Sequence, residues 1–133
     1  MIRGSCLCGG VSYEITGPFS DLRNCHCTMC RKAHSAAFRS RGSVSAEDFR
    51  FVSGEDLLTF YETSPGNHRG FCRVCGSAVY TKSLDNPARV SLPLGLLDDD
   101  PGVSPQLHIW VENKAPWFTI TDDLPQKQEG PNS

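Results

Sequence analysis

The sequence lacks several features that would assign it to large classes of protein. It contains no apolar run of about 18 residues, so no segment is long enough to cross a bilayer as a helix. Its net charge is −2, whereas proteins that bind nucleic acid or anionic membranes present basic surfaces. The chain also begins without the apolar core of a secretory signal. These absences predict a cytoplasmic protein with neither nucleic acid nor a membrane as partner.

Helical patterns are scarce as well, and strand patterns are common. Short helix signals occur only over residues 28–37 and at the turn that begins at Ser45. Alternating or short apolar runs typical of strands cover residues 11–15, 49–52, 57–61, 78–81, 88–94 and 107–111. The second and third of these runs flank a turn that contains Gly54, which predicts two strands joined by that turn.

These patterns predict a mainly β fold with a few short helical turns. At 133 residues the chain has the size of one domain. Its last residues are polar and contain two prolines and a glycine, a composition that does not pack into a core. We therefore expect one domain over residues 1–125 and a flexible tail over residues 126–133.

Cysteine is the residue type with the most informative arrangement. The chain has seven, and they fall into three groups: Cys6 and Cys8, then Cys25, Cys27 and Cys30, then Cys72 and Cys75. A disulfide framework would leave one thiol unpaired and would spread its cysteines more widely. Gaps of one or two residues instead suit thiolates that reach one ion from a single loop. The sequence therefore predicts that all seven are metal ligands, and Zn²⁺ is the ion that such thiolate sets bind.

The simplest partition of the seven thiols gives two zinc sites of different kinds. The two outer groups supply the four ligands of a closed structural site: Cys6, Cys8, Cys72 and Cys75. The middle group supplies three ligands and leaves one coordination position open: Cys25, Cys27 and Cys30. An open position on zinc can take water or a substrate thiol. We expect one structural and one reactive zinc.

The fourth ligand of the middle group is left open between a histidine and a substrate. His34 follows Cys30 by four residues and is the better candidate for a ligand or a proton relay. His26 lies between two ligands, so its side chain is expected to point away from the ion, while His68 and His108 are expected at the surface or in the core. A histidine ligand would make the protein a zinc-stabilised binding module without chemistry.

The cysteine groups stand in the order CxC, CxCxxC and CxxCG, within segments 4–11, 25–31 and 69–77. Further matching residues occur at Ser53–Gly54, Tyr61, Gly95–Asp99, His108–Ile109 and Lys114–Trp117. Together they resemble the glutathione-dependent formaldehyde-activating enzyme family over residues 3 to about 125. The resemblance implies an Mss4-like fold, with β-sheets folded around zinc, and the same division of the cysteines.

The resemblance also implies a carbon–sulfur lyase that joins glutathione and formaldehyde to give S-hydroxymethylglutathione. The reactive site would be Cys25, Cys27 and Cys30, where zinc would hold the glutathione sulfur as a thiolate and lower its pKa. Candidate cations for the glutathione carboxylates are Arg31, Lys32, Arg39, Arg41 and Arg69. Three aromatic residues are expected in the core or in a pocket wall: Trp110, Trp117 and Phe118.

Mss4-like scaffolds also carry methionine sulfoxide reduction, which is a third interpretation. That chemistry needs a reactive cysteine outside the zinc sites, and the two sites use all seven. We therefore favour an enzyme that acts on a glutathione-like thiol and a small aldehyde over a reductase, with the binding module as the alternative.

Overall fold

Ten short strands and one helix build the protein. The computed structural model describes residues 1–133. The strands are β1 Ile2–Ser5, β2 Ser12–Ile15, β3 Ser20–Cys25, β4 Arg39–Ser45, β5 Phe49–Ser53, β6 Leu58–Ser64, β7 Asn67–Cys72, β8 Ala78–Ser83, β9 Arg89–Pro93 and β10 His108–Ile109. The helix, α1, covers Thr28–His34, and the remaining helical pieces are four 3₁₀ turns. The mainly β fold predicted from the sequence is confirmed. No helix has the length and apolar character needed to cross a membrane.

The strands form a small sheet and a large one. The small sheet has the order β1–β2–β5, and the large sheet has the order β10–β3–β4–β9–β8–β7–β6. All neighbours are antiparallel except β10 and β3, which are parallel.

The two strands predicted on either side of Gly54 both exist, but each belongs to a different sheet. β5 pairs with β2 in the small sheet, whereas β6 pairs with β7 in the large sheet. Gly54 has φ = 78°, a left-handed conformation that suits glycine. A Cβ at Gly54 would collide with the carbonyl oxygen of Gly10. The chain therefore crosses from one sheet to the other here and does not form a hairpin.

One hydrophobic core joins the two sheets. Tyr13 and Ile15 of β2 pack in the same cluster as Val44 of β4 and Leu92 of β9, and all four are almost fully buried. Each such side chain stabilises the fold by roughly 1.5–3 kcal/mol. Val44 of β4 and Val90 and Leu92 of β9 lie in this core. The opposite face of the large sheet carries the residues that alternate with them, which are polar except for Pro93.

The segment after residue 124 runs beside β10. The His108 amide donates to the carbonyl of Pro125 at 2.9 Å, and the Lys127 amide donates to the carbonyl of His108 at 2.8 Å. The Trp110 amide donates to the carbonyl of Glu129 at 2.7 Å. β10 is the last strand of its sheet, and its free edge offers polar groups that need partners. The tail expected after residue 125 therefore starts with residues that are hydrogen-bonded to the domain.

Candidate functional site

The four outer cysteines converge at the edge of the core. Their sulfurs all lie within 4.8 Å of one another: Cys6, Cys8, Cys72 and Cys75. Each pair sits in a tight turn, in which the Gly9 amide donates to the Cys6 carbonyl at 3.0 Å and the Gly76 amide to the Cys72 carbonyl at 2.7 Å. Gly9 and Gly76 have φ near 78° and 79°. The four thiols, all free, are arranged to hold one metal ion.

Ser77 links the two turns of this group. Its hydroxyl accepts a hydrogen bond from the Leu7 amide at 3.0 Å and lies 3.2 Å from the sulfur of Cys75. Hydrogen bonds from the hydroxyl and the backbone amide of Ser77 lower the pKa of Cys75 to about 5. The turn thus favours the thiolate, which is the form that binds a metal.

The three middle cysteines converge where β3 leads into α1. Cys25 ends β3, Cys27 is the N-cap of α1, and Cys30 lies in the first turn of the helix. The sulfur of Cys27 accepts a hydrogen bond from the Cys30 amide at 3.3 Å. All three sulfurs lie within 4.8 Å of one another, and the group includes no histidine nitrogen and no carboxylate oxygen. The structure therefore brings together the three thiols that the sequence indicated and leaves one side of the group without a protein ligand.

Charge around the middle group favours a thiolate at Cys30. Hydrogen bonds from Cys25 and Cys27 hold the pKa of Cys30 well below its usual range, and Arg69 adds to the effect. Nη2 of Arg69 lies 3.5 Å from the sulfur of Cys30. The same sharing of protons raises the pKa of Cys25. Two of the three thiols are buried, so this charge is poorly solvated and a bound cation would stabilise it.

The four histidines take places away from the thiol group. His34 lines a neighbouring cavity together with Arg39 and Arg69. Burial, followed by the charges of those two arginines, lowers the pKa of His34 to about 4. Its imidazole is therefore neutral at pH 7. A neutral imidazole can accept a proton at one nitrogen and donate one from the other, which suits a proton relay. His68 lies 3.3 Å from the carboxylate of Glu62 on β6.

His26 points away from the thiols, as the sequence predicted, and begins a buried relay. Nε2 of His26 lies 2.8 Å from Nδ1 of His108, and Nε2 of His108 lies 2.9 Å from the carboxylate of Asp122. An ionised Asp122 only accepts, so His108 donates to it through Nε2 and accepts from His26 at Nδ1. His26 is then neutral, in agreement with a pKa lowered to about 4 by burial and by His108. The relay ties the cysteine loop to the end of the chain.

Replacing His108 with leucine tests whether this relay supports the cysteine loop. Leucine fills a similar volume but leaves the His26 N–H buried without a partner. We expect a loss of about 1–3 kcal/mol in the free energy of unfolding, measured by urea denaturation. The matched variant His68→Leu, at a partly exposed position on β7, should change stability much less. Equal losses in the two variants would contradict a special role for the relay.

Three of the five predicted cations lie beside the middle thiols, and two do not. Arg39, Arg41 and Arg69 line a cavity of about 510 Å³ that also contains Cys25 and Cys30. Arg31 instead donates to the backbone carbonyl of Asn113 at 3.0 Å. Lys32 is exposed on α1 and lines the neighbouring cavity.

The aromatic residues expected in the core or in a pocket wall also divide. Trp110 lines the cavity beside the thiols. Phe118 packs against Phe38, with ring centres 5.3 Å apart. Trp117 is 69% exposed, so the expectation was wrong for this residue. It follows Pro116 in a turn near the surface, where no apolar partner covers the indole ring.

Sequence reasoning missed two further arginines of the cavity, Arg23 and Arg89. Neither β3 nor β4 was predicted, so the pairing of Arg23 with Arg41 and of Cys25 with Arg39 was not foreseen. A signal was present in the predicted strand over residues 88–94, because Arg89 and Ser91 alternate there with apolar residues. Period-two alternation puts such residues on the face opposite the core.

Comparison with known proteins agrees with this arrangement. A sequence model of the family described as glutathione-dependent formaldehyde-activating enzyme matches residues 1–113 of the chain. This chain belongs to that family. All seven cysteines of both groups lie within the matched residues.

Two relatives extend the comparison. A Halomonas elongata protein, named provisionally as a glutathione-dependent formaldehyde-activating enzyme, is 29% identical over 128 residues. That alignment covers 90% of this chain and 81% of the relative. A crystal structure of a Rhodobacter sphaeroides protein has a TM-score of 0.60 and 29% identity, covering 77% of this chain and 97% of the other.

Proposed function

We propose that this protein is a cytoplasmic, zinc-dependent carbon–sulfur lyase that catalyses the reversible addition of a thiol, such as glutathione, to formaldehyde or a related small aldehyde. The observation that carries the proposal is the convergence of Cys25, Cys27 and Cys30 beside an arginine-lined cavity. Family membership and the name of the Halomonas elongata relative support the choice of thiol and aldehyde.

The donor sets of the two cysteine groups fit Zn²⁺, because thiolates are its preferred soft ligands. The outer four would hold a structural ion, and the middle three would hold a second ion with one position left for substrate. Zinc bound to the middle group would supply a positive centre that lowers the pKa of a substrate thiol.

The chain itself would bind and orient the two substrates. The cavity of about 510 Å³ lies within the range of small-molecule sites. Arg39 and Arg69, both beside the thiols, favour the approach of a negatively charged thiolate. The partly buried walls would hold the aldehyde carbon close to the sulfur. Bond formation would then be effectively unimolecular, because both reactants are already bound side by side.

The protons of the reaction balance without any redox step. The thiol gives up its proton, its sulfur forms a bond to the aldehyde carbon, and the aldehyde oxygen becomes an alkoxide. That oxygen then takes a proton and gives the hydroxymethyl thioether. His34, neutral at pH 7, would relay this proton from solvent; its position in the lining of the adjoining cavity, with Arg39 and Arg69, supports this role.

Exchange spectroscopy by NMR tests the proposed activity directly. Glutathione and formaldehyde also form their adduct without a catalyst, so the exchange rate is measured with and without zinc-loaded protein. We expect the rate to rise by at least about tenfold while the equilibrium ratio stays constant. Equal rates would overturn the proposal. Equal rates together with about two zinc ions per chain would instead identify a zinc-stabilised binding module.

A further inference from the structure

Five arginines line the cavity beside the middle thiols: Arg23, Arg39, Arg41, Arg69 and Arg89. None of them forms an ion pair with a carboxylate, and the arginine ion pairs of this protein involve Arg3 and Arg50 elsewhere. The cavity has a single acidic residue, the exposed Asp21. Arg41 reaches Asp21 only through its backbone carbonyl, at 3.5 Å. Apart from the thiol group itself, the lining therefore carries five positive charges against one negative charge.

The sheet register concentrates these charges at a cost to stability. Arg23 of β3 stands directly opposite Arg41 of β4, and like charges in that position destabilise a sheet. Arg39, on the same face as Arg41, stands opposite Cys25. This repulsion between Arg23 and Arg41 destabilises the sheet when the cavity is empty. A ligand with the opposite charge in the cavity would offset it.

Two of the guanidinium groups are buried with unused donors. Arg39 is 6% exposed, and its one hydrogen bond is to the hydroxyl of Thr81 at 3.3 Å. Nε of Arg39, together with Nε and Nη1 of Arg69, is buried without a partner. Burial lowers the pKa of Arg39 and of Arg41 to about 10. The charges of these two guanidinium groups are therefore poorly solvated, and an anion in the cavity would offset the cost of burying them.

The arginines fall into two sets along the cavity. Arg69 contacts Cys30, and Arg39 is paired with Cys25, so these two lie at the thiol end. Arg41 is held further along β4 by its bond to the hydroxyl of Ser91 at 2.8 Å. Arg89 is fixed beyond it, by bonds to the hydroxyls of Ser43 and Ser20 at 2.8 and 2.6 Å. The second set is thus preoriented by neutral hydroxyls, which leave its charge uncancelled.

We infer that the thiol substrate of the proposed reaction carries at least two anionic groups, and that Arg41 and Arg89 bind the anionic group farther from the reactive sulfur. This inference rests on the proposed function for the position of the sulfur. It narrows the substrate class, because a thiol with fewer than two anionic groups would leave the second set of arginines without a partner of opposite charge. The anionic groups are carboxylates or a phosphate.

Three matched thiols test, on zinc-loaded protein, how the charges of a thiol affect its binding. Cysteine is 3-mercaptopropionate with an added ammonium, and mercaptosuccinate is 3-mercaptopropionate with an added carboxylate. Binding is followed by the fluorescence of Trp110, which lines the cavity, in a Trp117→Phe background that removes the second tryptophan. We expect mercaptosuccinate to bind most tightly and cysteine least tightly. A parallel titration with 2-mercaptoethyl phosphate distinguishes a phosphate from paired carboxylates, and tight binding of either supports the inference.

Two variants distinguish direct binding by Arg41 and Arg89 from the effect of the protein's overall electrostatic field. Arg41→Gln and Arg89→Gln should each weaken mercaptosuccinate binding by about tenfold or more, the usual effect of losing a hydrogen bond to a charged group. Binding of uncharged 2-mercaptoethanol should change by less than about twofold. Arg50→Gln, which removes an exposed arginine of the small sheet paired with Glu14, should leave both unchanged. Circular dichroism confirms that each variant is folded.

Failure of this inference and failure of the proposed function give different results. Equal affinities across the thiol series, or equal weakening of charged and uncharged thiols in the arginine variants, would overturn the inference even if the exchange rate with formaldehyde rises. If mercaptosuccinate binding depends on the arginines but the exchange rate with formaldehyde does not rise, the inference about the substrate is supported and the proposed activity is overturned.

Discussion

Replacing Cys72 with serine is expected to leave the protein without a cooperative folded state at 25 °C. Cys72 is fully buried and belongs both to the core and to the outer cysteine group. A structural zinc contributes about 10–16 kcal/mol, which equals or exceeds the whole stability of a typical domain at about 5–15 kcal/mol. The outer group joins residue 6 to residue 75, so its loss also releases the amino-terminal turn from the large sheet.

Far-ultraviolet circular dichroism with thermal unfolding measures this effect, and metal analysis accompanies it. The expected result for Cys72→Ser is no unfolding transition and much less than two zinc ions per chain. A chelator should produce the same loss in the wild-type protein, since it removes the ion rather than the ligand. A cooperative transition close to that of the wild type would show that the outer group is not a structural zinc site.

Replacing Cys27 with serine is expected to abolish the proposed activity while the fold survives. Cys27 is the N-cap of α1, and its sulfur accepts the hydrogen bond of the Cys30 amide. Serine is among the best N-cap residues, so the helix keeps this bond. The middle group loses one of its three thiols, and loss of a ligand should lower the rate increase with formaldehyde by more than about a hundredfold.

The measurements for Cys27→Ser are the exchange rate by NMR, the zinc content and the thermal midpoint. Zinc should fall from about two to about one per chain, and the midpoint should stay close to that of the wild type. The comparison with Cys72→Ser is the control for the assignment of different roles to the two cysteine groups. If both variants are destabilised equally, the assignment of one structural and one reactive group is wrong.

The two cysteine groups also explain why the arginine cavity lies where it does. The outer group closes the end of the core, where Cys6 and Cys72 pack among apolar side chains. The middle group lies at the end of β3, so Cys25 shares the polar face of the large sheet with Arg39 and Arg41. One sheet thus separates the proposed structural site and its core from the proposed reactive site and its charged cavity.

Local spacing was enough to predict the middle group and each outer pair, because ligands one or two residues apart are held by a single turn. The join between the two outer pairs was predicted from the count of four ligands that a closed zinc site needs. Both groups were found with the predicted members. The orientation of His26 away from the thiols also followed from its position between two ligands. Strand pairing could not be predicted in the same way. The two strands joined by the turn at Gly54 were predicted, but not that they lie in different sheets.

The sequence by itself determined the three local clusters of thiols, since cysteines one or two residues apart share one turn whatever the rest of the chain does. The meeting of the two outer pairs depends on the tertiary structure, because Cys8 and Cys72 are 64 residues apart. The sequence also determined the mainly β character, through period-two alternation. Only the tertiary structure decided the charge of the cavity, because Arg23, Arg41, Arg69 and Arg89 come from four different strands. Their meeting depends on strand order and register, which are set by long-range packing of the core and not by neighbours in the chain.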